Sequence, residues 1–364
     1  MSEPDQGASA ARFASTRTFA SLDGLRCLSI LAVVWHHSAT YGHSISLARH
    51  GFLGVDLFFV ISGFLITTLL LRERAAAGIS LRRFWIRRSL RIFPPYFALL
   101  AATAVTLAWL APEARMREPF FAELPYLATY TSNWVPIATL FGITWSLATE
   151  EQFYLAWPPL ERFLPKLVVP TLVGLVLLNQ CVNFGLLDAQ IEAWLGVPRR
   201  ELAVLQATFT PILLGVALAH ALNEPARFAA IARWFGSRAA APLALVAVIA
   251  LACIPGSLSG APRLAIHLAM TALVAACVMR EDNALRRFLT LGVVARIGVV
   301  SYGIYLYHLI ALHGVRQLLG DDTNNFVQFL ACALSAFALA EISYRLLESR
   351  FLRMKSRFMT GAAA

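Results

Sequence analysis

Apolar runs of about twenty residues recur along this 364-residue chain, separated by short segments rich in arginine. A helix gains about 1.5 Å per residue, so about 20 apolar residues are what a hydrocarbon layer of about 30 Å requires. Hydrophobic residues make up 58% of the chain and charged residues only 14%, where a soluble domain carries about 25% charge. Lipid, rather than an oversized core, is the solvent this composition suits. The runs predict an all-α integral membrane protein of about ten transmembrane helices, near 22–41, 52–72, 92–111, 143–162, 167–187, 202–222, 240–256, 263–280, 294–314 and 326–346. Residues 112–142 form the longest expected loop, with Pro112, Pro119, Pro125 and Pro136 set to break any helix. Residues 1–20 read as a disordered or surface-lying cytoplasmic tail, 21–349 as the transmembrane domain and 350–364 as a second cytoplasmic tail. The first apolar run is not expected to be a signal peptide, because it carries His36 and His37 and lacks a small-residue cleavage site.

The net charge of +10 does not point to nucleic acid, because the basic residues sit in loops between apolar runs. That placement sets orientation instead. With the amino terminus in the cytoplasm, 22 of the 31 basic residues fall on the cytoplasmic side and seven (Arg49, Arg115, Arg117, Arg199, Arg200, Arg263 and Arg316) on the other. An even number of spans and two cytoplasmic termini follow. The five cysteines are scattered singly, without a CxxC pair, and suggest neither a metal site nor a disulfide.

Ionisable groups inside spans are costly and are functional candidates by default. In the first helix Arg26 and His37 are eleven residues apart, which places them within about 20° on one face and about 16 Å apart along the axis. Asp23, three residues before Arg26, is placed to steady the guanidinium. The pair either satisfies neighbouring helices or acts: Arg26 can hold a phosphate or carboxylate, and His37 can take a proton from a hydroxyl. In the second span Asp56 is expected to be buried or to face a polar cavity, and Gly63 to allow a close helix approach. Arg87, Arg88 and Arg91, with Arg82 and Arg83, serve equally well as a topology signal or as a patch for a polyphosphate such as a coenzyme A nucleotide. In the fourth span Ser146, Glu150 and Tyr154 recur every four residues as a polar stripe, beside Glu151. Ser301, Tyr305 and His308 fall at helical spacing in the ninth, and Arg345 is expected to pair with Glu348.

Five ordered blocks carry a resemblance. SLDGLRCLSILAVVWHHS (21–38), GFLGVDLFFVISGFLI (51–66), FWIRRSLRIFPPYF (84–97), TWSLATEEQFYLAWP (144–158) and RIGVVSYGIYLYHL (296–309) resemble the acyltransferase-3 family of integral membrane proteins. The resemblance implies a ten-helix fold, an acetyl-CoA or other acyl-CoA donor, no permanently bound cofactor, and O-acylation of a carbohydrate such as an exported polysaccharide. The family's Arg-x10-His motif falls on Arg26 and His37, its arginine block on Arg87, Arg88 and Arg91, and its WSLxxE glutamate on Glu150. Cys27 stands where a glycine is usual. Many relatives carry a further hydrolase-like domain; this chain ends soon after the tenth expected span, so it is expected to work alone or with a separate periplasmic or glycan-assembly partner.

On this reading His37 and Glu150 are the catalytic candidates in a bacterial inner-membrane enzyme. Arg26, Arg87, Arg88 and Arg91 bind the donor, and Asp23, Asp56, Ser146, Tyr154, Ser301, Tyr305 and His308 support them. Transfer runs either directly or through a covalent relay. A transporter with a buried Arg/His/Glu pathway is the rival class, and a succinyl donor or a macrolide or lipid acceptor are rivals within the enzyme class. The charge asymmetry predicts that reporter fusions after Asp188 and after Asp321 both report the periplasm; cytoplasmic signals at both would overturn the topology.

Overall fold

The computed structural model describes residues 11–39, 49–111, 113–196, 204, 209–256 and 258–355. Parts of both expected tails (1–10 and 356–364), Pro112, the basic pair Arg199 and Arg200, and the start of the sixth expected span lie outside the described residues. Among the described residues every regular element is a helix. In order come α1 (Ala20–Ser38), α2 (Leu53–Ala76), α3 (Leu81–Val105), α4 (Arg117–Ala128), α5 (Trp145–Phe163), α6 (Val168–Asn183), α7 (Asp188–Leu195) and α8 (Thr210–Leu222). They are followed by α9 (Pro225–Phe235), α10 (Ala240–Ala252), α11 (Ala261–Met279), α12 (Gly292–Val299), α13 (Ser301–Leu319), α14 (Asn325–Ser343) and α15 (Ser349–Lys355).

Among the described residues, five helices are long and apolar enough to cross a membrane, or up to seven if each of two bent pairs counts as one span. The five are Leu53–Ala76, Leu81–Leu110, Pro165–Asn183, Ala261–Met279 and Asn325–Met354. Helix α1, with Asp23, Arg26, His36 and His37, is not among them, and neither is the carboxylate-bearing α5. The ten expected spans are therefore reached only in part: α1 and α5 are not among the long apolar helices, α8 is too short, and two further spans are bent pairs.

Several expectations need correction. The arginines 82–91 do not lie in a loop: α3 begins at Leu81 and runs unbroken through Pro94 and Pro95. Each proline removes one backbone donor, a loss that packed membrane helices tolerate. The segment 112–142 is not without a helix, since α4 contains Pro119, near its first turn, and Pro125. Its Glu123 carboxylate accepts from Thr139 Oγ1 at 2.5 Å and from the Ala138 amide at 2.7 Å, tying the following loop back to α4. The ninth span is broken, with α12 and α13 meeting at 76°. Arg345 pairs with Glu341 at 2.6 Å, while Glu348 accepts from Ser343.

The chain divides into two compact units. One comprises Met1–Arg72, Leu175–Phe184 and Thr210–Ala340; the other Glu73–Gly174, Gly185–Phe209 and Glu341–Ala364. Inside the first, α2 and α8 touch backbone to backbone. A Cβ on Gly63 would stand 2.0 Å from the Ile212 carbonyl oxygen, and one on Gly215 would stand 2.2 Å from that of Val60, so only glycine permits this approach.

The end of the expected amino-terminal tail is docked in the same unit. Phe13 is buried, with its ring 5.7 Å from those of Phe19 and Phe228 and 6.4 Å from that of Phe64. Arg72 lies over the Phe13 and Phe19 rings and donates to the Thr16 and Phe13 carbonyls. The aromatic area removed from water holds residues 11–19 against the bundle. A Phe13→Ala variant is expected to lose about 3–5 kcal/mol of stability, the range for truncating a buried phenylalanine, read as a lowered unfolding midpoint in detergent.

Candidate functional site

Helix α1 brings Asp23, Arg26 and His37 into the first unit. Asp23 accepts from Arg26 Nη1 at 2.9 Å, as the three-residue spacing predicts. Helices α1 and α13 pack together, and there His37 meets His308 with their ring centres 4.9 Å apart. His37 Nδ1 lies 3.0 Å from the Val33 carbonyl oxygen and 3.2 Å from His308 Nε2. His308 is fully buried, and its Nδ1 lies 2.6 Å from the Tyr305 carbonyl oxygen. Tyr305, with its ring 5.6 Å from that of His308, and Ser301 are both buried on α13. Sequence spacing placed His308 in second rank; the fold makes it the direct neighbour of His37.

Two further cations escaped the sequence reading. Arg316, counted there among loop residues, lies on α13 with Nη2 3.5 Å from the His37 carbonyl oxygen. Arg263, placed at the non-cytoplasmic start of the eighth expected span, lies on α11 and pairs with Asp56 at 2.8 Å. His267, one turn later, places Nε2 3.1 Å from the same carboxylate oxygen. Asp56 is thus buried, as expected, but compensated by two partners from α11 rather than open to a polar cavity. Arg263 also lies 5.0 Å from the centre of the Phe52 ring, which packs edge-on against His36. No signal in the sequence joins positions more than two hundred residues apart.

The second unit holds the other candidates. Arg87 is buried in an ion pair with Glu73, and Arg88 lies 4.3 Å over the ring of buried Tyr154. Arg91 is half-buried on the same helix. Trp85 Nε1 donates to the Tyr154 carbonyl at 3.0 Å, so α3 and α5 are joined at Tyr154. Ser146, at the start of α5, donates to the Ile143 carbonyl at 3.2 Å. Glu150 forms no ion pair among the described residues, and Glu151 has a buried carboxylate oxygen without a hydrogen-bond partner there. Arg74, Arg83 and Arg162 line a polar cavity of about 500 Å³ with Gly78, Ser80 and Pro165. Arg74 is partly compensated by Glu161 at 2.5 Å. The arginines open to a ligand here are therefore Arg83 and Arg162 more than Arg87.

A family model described as an acyltransferase domain matches residues 19–345. The chain belongs to the acyltransferase-3 family. Within it, the chain is 29% identical over 365 aligned positions to the peptidoglycan O-acetyltransferase OatA of Listeria monocytogenes, covering 90% of this chain and 55% of that one. It is 28% identical to YrhL of Bacillus subtilis strain 168, provisionally named as a peptidoglycan O-acetyltransferase, covering 91% of this chain and 54% of the relative. The chain thus spans little more than half the length of the curated relatives it matches. No solved structure matches it.

The burial of Arg87 leads to an expectation separate from donor recognition. Removing one partner of a buried ion pair leaves an uncompensated charge at a cost of about 3–5 kcal/mol. Arg87→Ala should lower the unfolding midpoint of the purified protein, and adding Glu73→Gln should restore most of that loss.

Proposed function

We propose that this chain is a membrane-embedded O-acyltransferase that moves an acetyl group from acetyl-CoA to a hydroxyl of an exported or cell-surface carbohydrate. The observation that carries this reading is the half-buried His37 imidazole, tied through one nitrogen to Val33 and His308, in a chain of an acyltransferase family. An imidazole held in one orientation with a nitrogen to spare suits general base catalysis.

The acceptor O–H proton passes to His37 as the oxygen attacks the thioester carbonyl. The tetrahedral oxyanion then collapses, the C–S bond breaks, and the departing thiolate takes the proton back from the imidazolium. The products are the O-acetyl ester and free coenzyme A. With a side-chain hydroxyl as first acceptor, the same steps would form a transient acyl-enzyme. Arg26, kept in place by Asp23, is assigned to the donor's anionic or carbonyl groups in the first unit. Within the second unit, the cavity lined by Arg74, Arg83 and Arg162 supports an assignment to donor phosphates, with Arg88 and Arg91 as the resemblance implies. Glu150, without an ion-pair partner among the described residues, is assigned to orienting or protonating a reacting group. The charge asymmetry supports a bacterial inner-membrane location with both termini in the cytoplasm, so that donor and arginines share a side. Relatives named for peptidoglycan make a wall glycan the first acceptor to examine.

The test is complementation of a deletion strain at equal protein level, with base-released acetate from envelope glycans as the readout. His37→Ala is expected to bring the acetate to background, since loss of a general base costs about 10²–10⁴ in rate. Full acetylation by that variant would overturn the assignment. Arg26→Ala should chiefly raise KM for acetyl-CoA in proteoliposomes.

A further inference from the structure

We infer that His308 is a positioning residue that holds His37 in its Nδ1–H tautomer, so that Nε2 is the atom that accepts the proton. This rests on the reading of His37 as the base and specifies how that base is set.

The tautomers follow from which atoms can donate. A carbonyl oxygen only accepts, so a ring nitrogen within hydrogen-bond distance of one must carry the proton. His308 Nδ1 stands 2.6 Å from the Tyr305 carbonyl oxygen and therefore carries a hydrogen. In the neutral ring this leaves His308 Nε2 as a lone pair. His37 Nδ1 faces that lone pair at 3.2 Å and the Val33 carbonyl oxygen at 3.0 Å. Both neighbours are acceptors, so His37 Nδ1 also carries its hydrogen, shared between them. His37 Nε2 is then the lone pair, and among the described residues it makes no hydrogen bond. The opposite tautomer would bring three lone pairs together beside a ring that is fully buried.

The arrangement does more than orient. When His37 Nε2 takes the hydroxyl proton, the Nδ1–H to His308 becomes a charge-assisted bond and strengthens as the oxyanion forms. His308 brings no fixed negative charge, which would be costly to bury within the membrane span. Its own Nδ1–H remains on Tyr305, and the two rings together hold one extra proton until the thiolate removes it. Arg316, with Nη2 3.5 Å from the His37 carbonyl oxygen, further fixes the end of α1 that bears the base.

The full chain, labelled with [15N]histidine and reconstituted in phosphatidylglycerol/phosphatidylcholine vesicles, is examined by solid-state NMR. The His37 signals are assigned by their absence from His37→Ala. A protonated Nδ1 and an unprotonated Nε2 on His37 are expected at neutral pH. Two substitutions then separate positioning from packing. His308→Gln keeps an acceptor near the Nε2 position, whereas His308→Leu has none. In the complementation assay His308→Gln is expected to retain at least a tenth of wild-type glycan acetate, and His308→Leu less than a hundredth. An Nε2–H tautomer in the wild type overturns the inference, even if both variants fail to fold. So does a His308→Leu variant with more than half of wild-type activity, or a folded His308→Gln as inactive as folded His308→Leu. Full activity of His37→Ala would instead overturn the base assignment while leaving the measured tautomer standing.

Discussion

A carboxylate buried beside an arginine, Asp56 paired with Arg263 and with His267 Nε2 at 3.1 Å, shows the constraint on which the structure depends. A lipid-embedded bundle has no water to screen its ionisable groups, so each must find a partner or be tolerated for a reason. Most find one. Glu73 takes Arg87, Glu161 takes Arg74 and Trp157, Asp23 takes Arg26, and Glu341 takes Arg345. Glu73 with Arg87, Glu161 with Arg74 and Asp56 with Arg263 each join two different helices, whereas Asp23 with Arg26 and Glu341 with Arg345 lie within four residues. Apolar packing between helices is weak in a hydrocarbon solvent. The buried ion pairs therefore supply much of the specificity of packing within each unit.

Once these compensated charges are set aside, a smaller set of the described residues stands out for chemistry. In the first unit they are the two imidazoles of His37 and His308, with Arg316 beside them. In the second they include Glu150, Glu151, Arg83 and Arg162. The bend between α12 and α13 serves the first group directly. Helix α12 lies against α1, where a Cβ on Gly298 would stand 1.8 Å from the Asp23 carbonyl oxygen. The 76° turn then starts α13 at Ser301 on a new axis, and two turns later His308 meets His37. Backbone carbonyls of Val33 and Tyr305, present in any helix, become the fixed acceptors that set both rings.

Much of this was legible from residue order. The apolar period and the charge deficit determined a helical membrane protein, because helix length must match the hydrocarbon layer. Spacing within one helix placed Arg26 and His37 on a common face and Asp23 on Arg26, since a helix has one pitch. The block motifs led to the family. What failed was local punctuation: Pro119 and Pro125 were read as breaks, yet α4 runs through both. Phe13 was read as part of a tail because a single aromatic residue among small polar ones carries no periodic signal.

The sequence by itself thus determined the solvent, the helical class and the residues that share a turn, all consequences of local geometry. Only the tertiary structure decided which charges cancel and which imidazoles meet. His37 and His308 are 271 residues apart, and Asp56 and His267 are 211 apart. Proximity across such separations depends on how helix surfaces pack and on where a bend redirects the chain, which no single helix encodes. The proposed base was visible in the first helix; the neighbour that sets its proton was not.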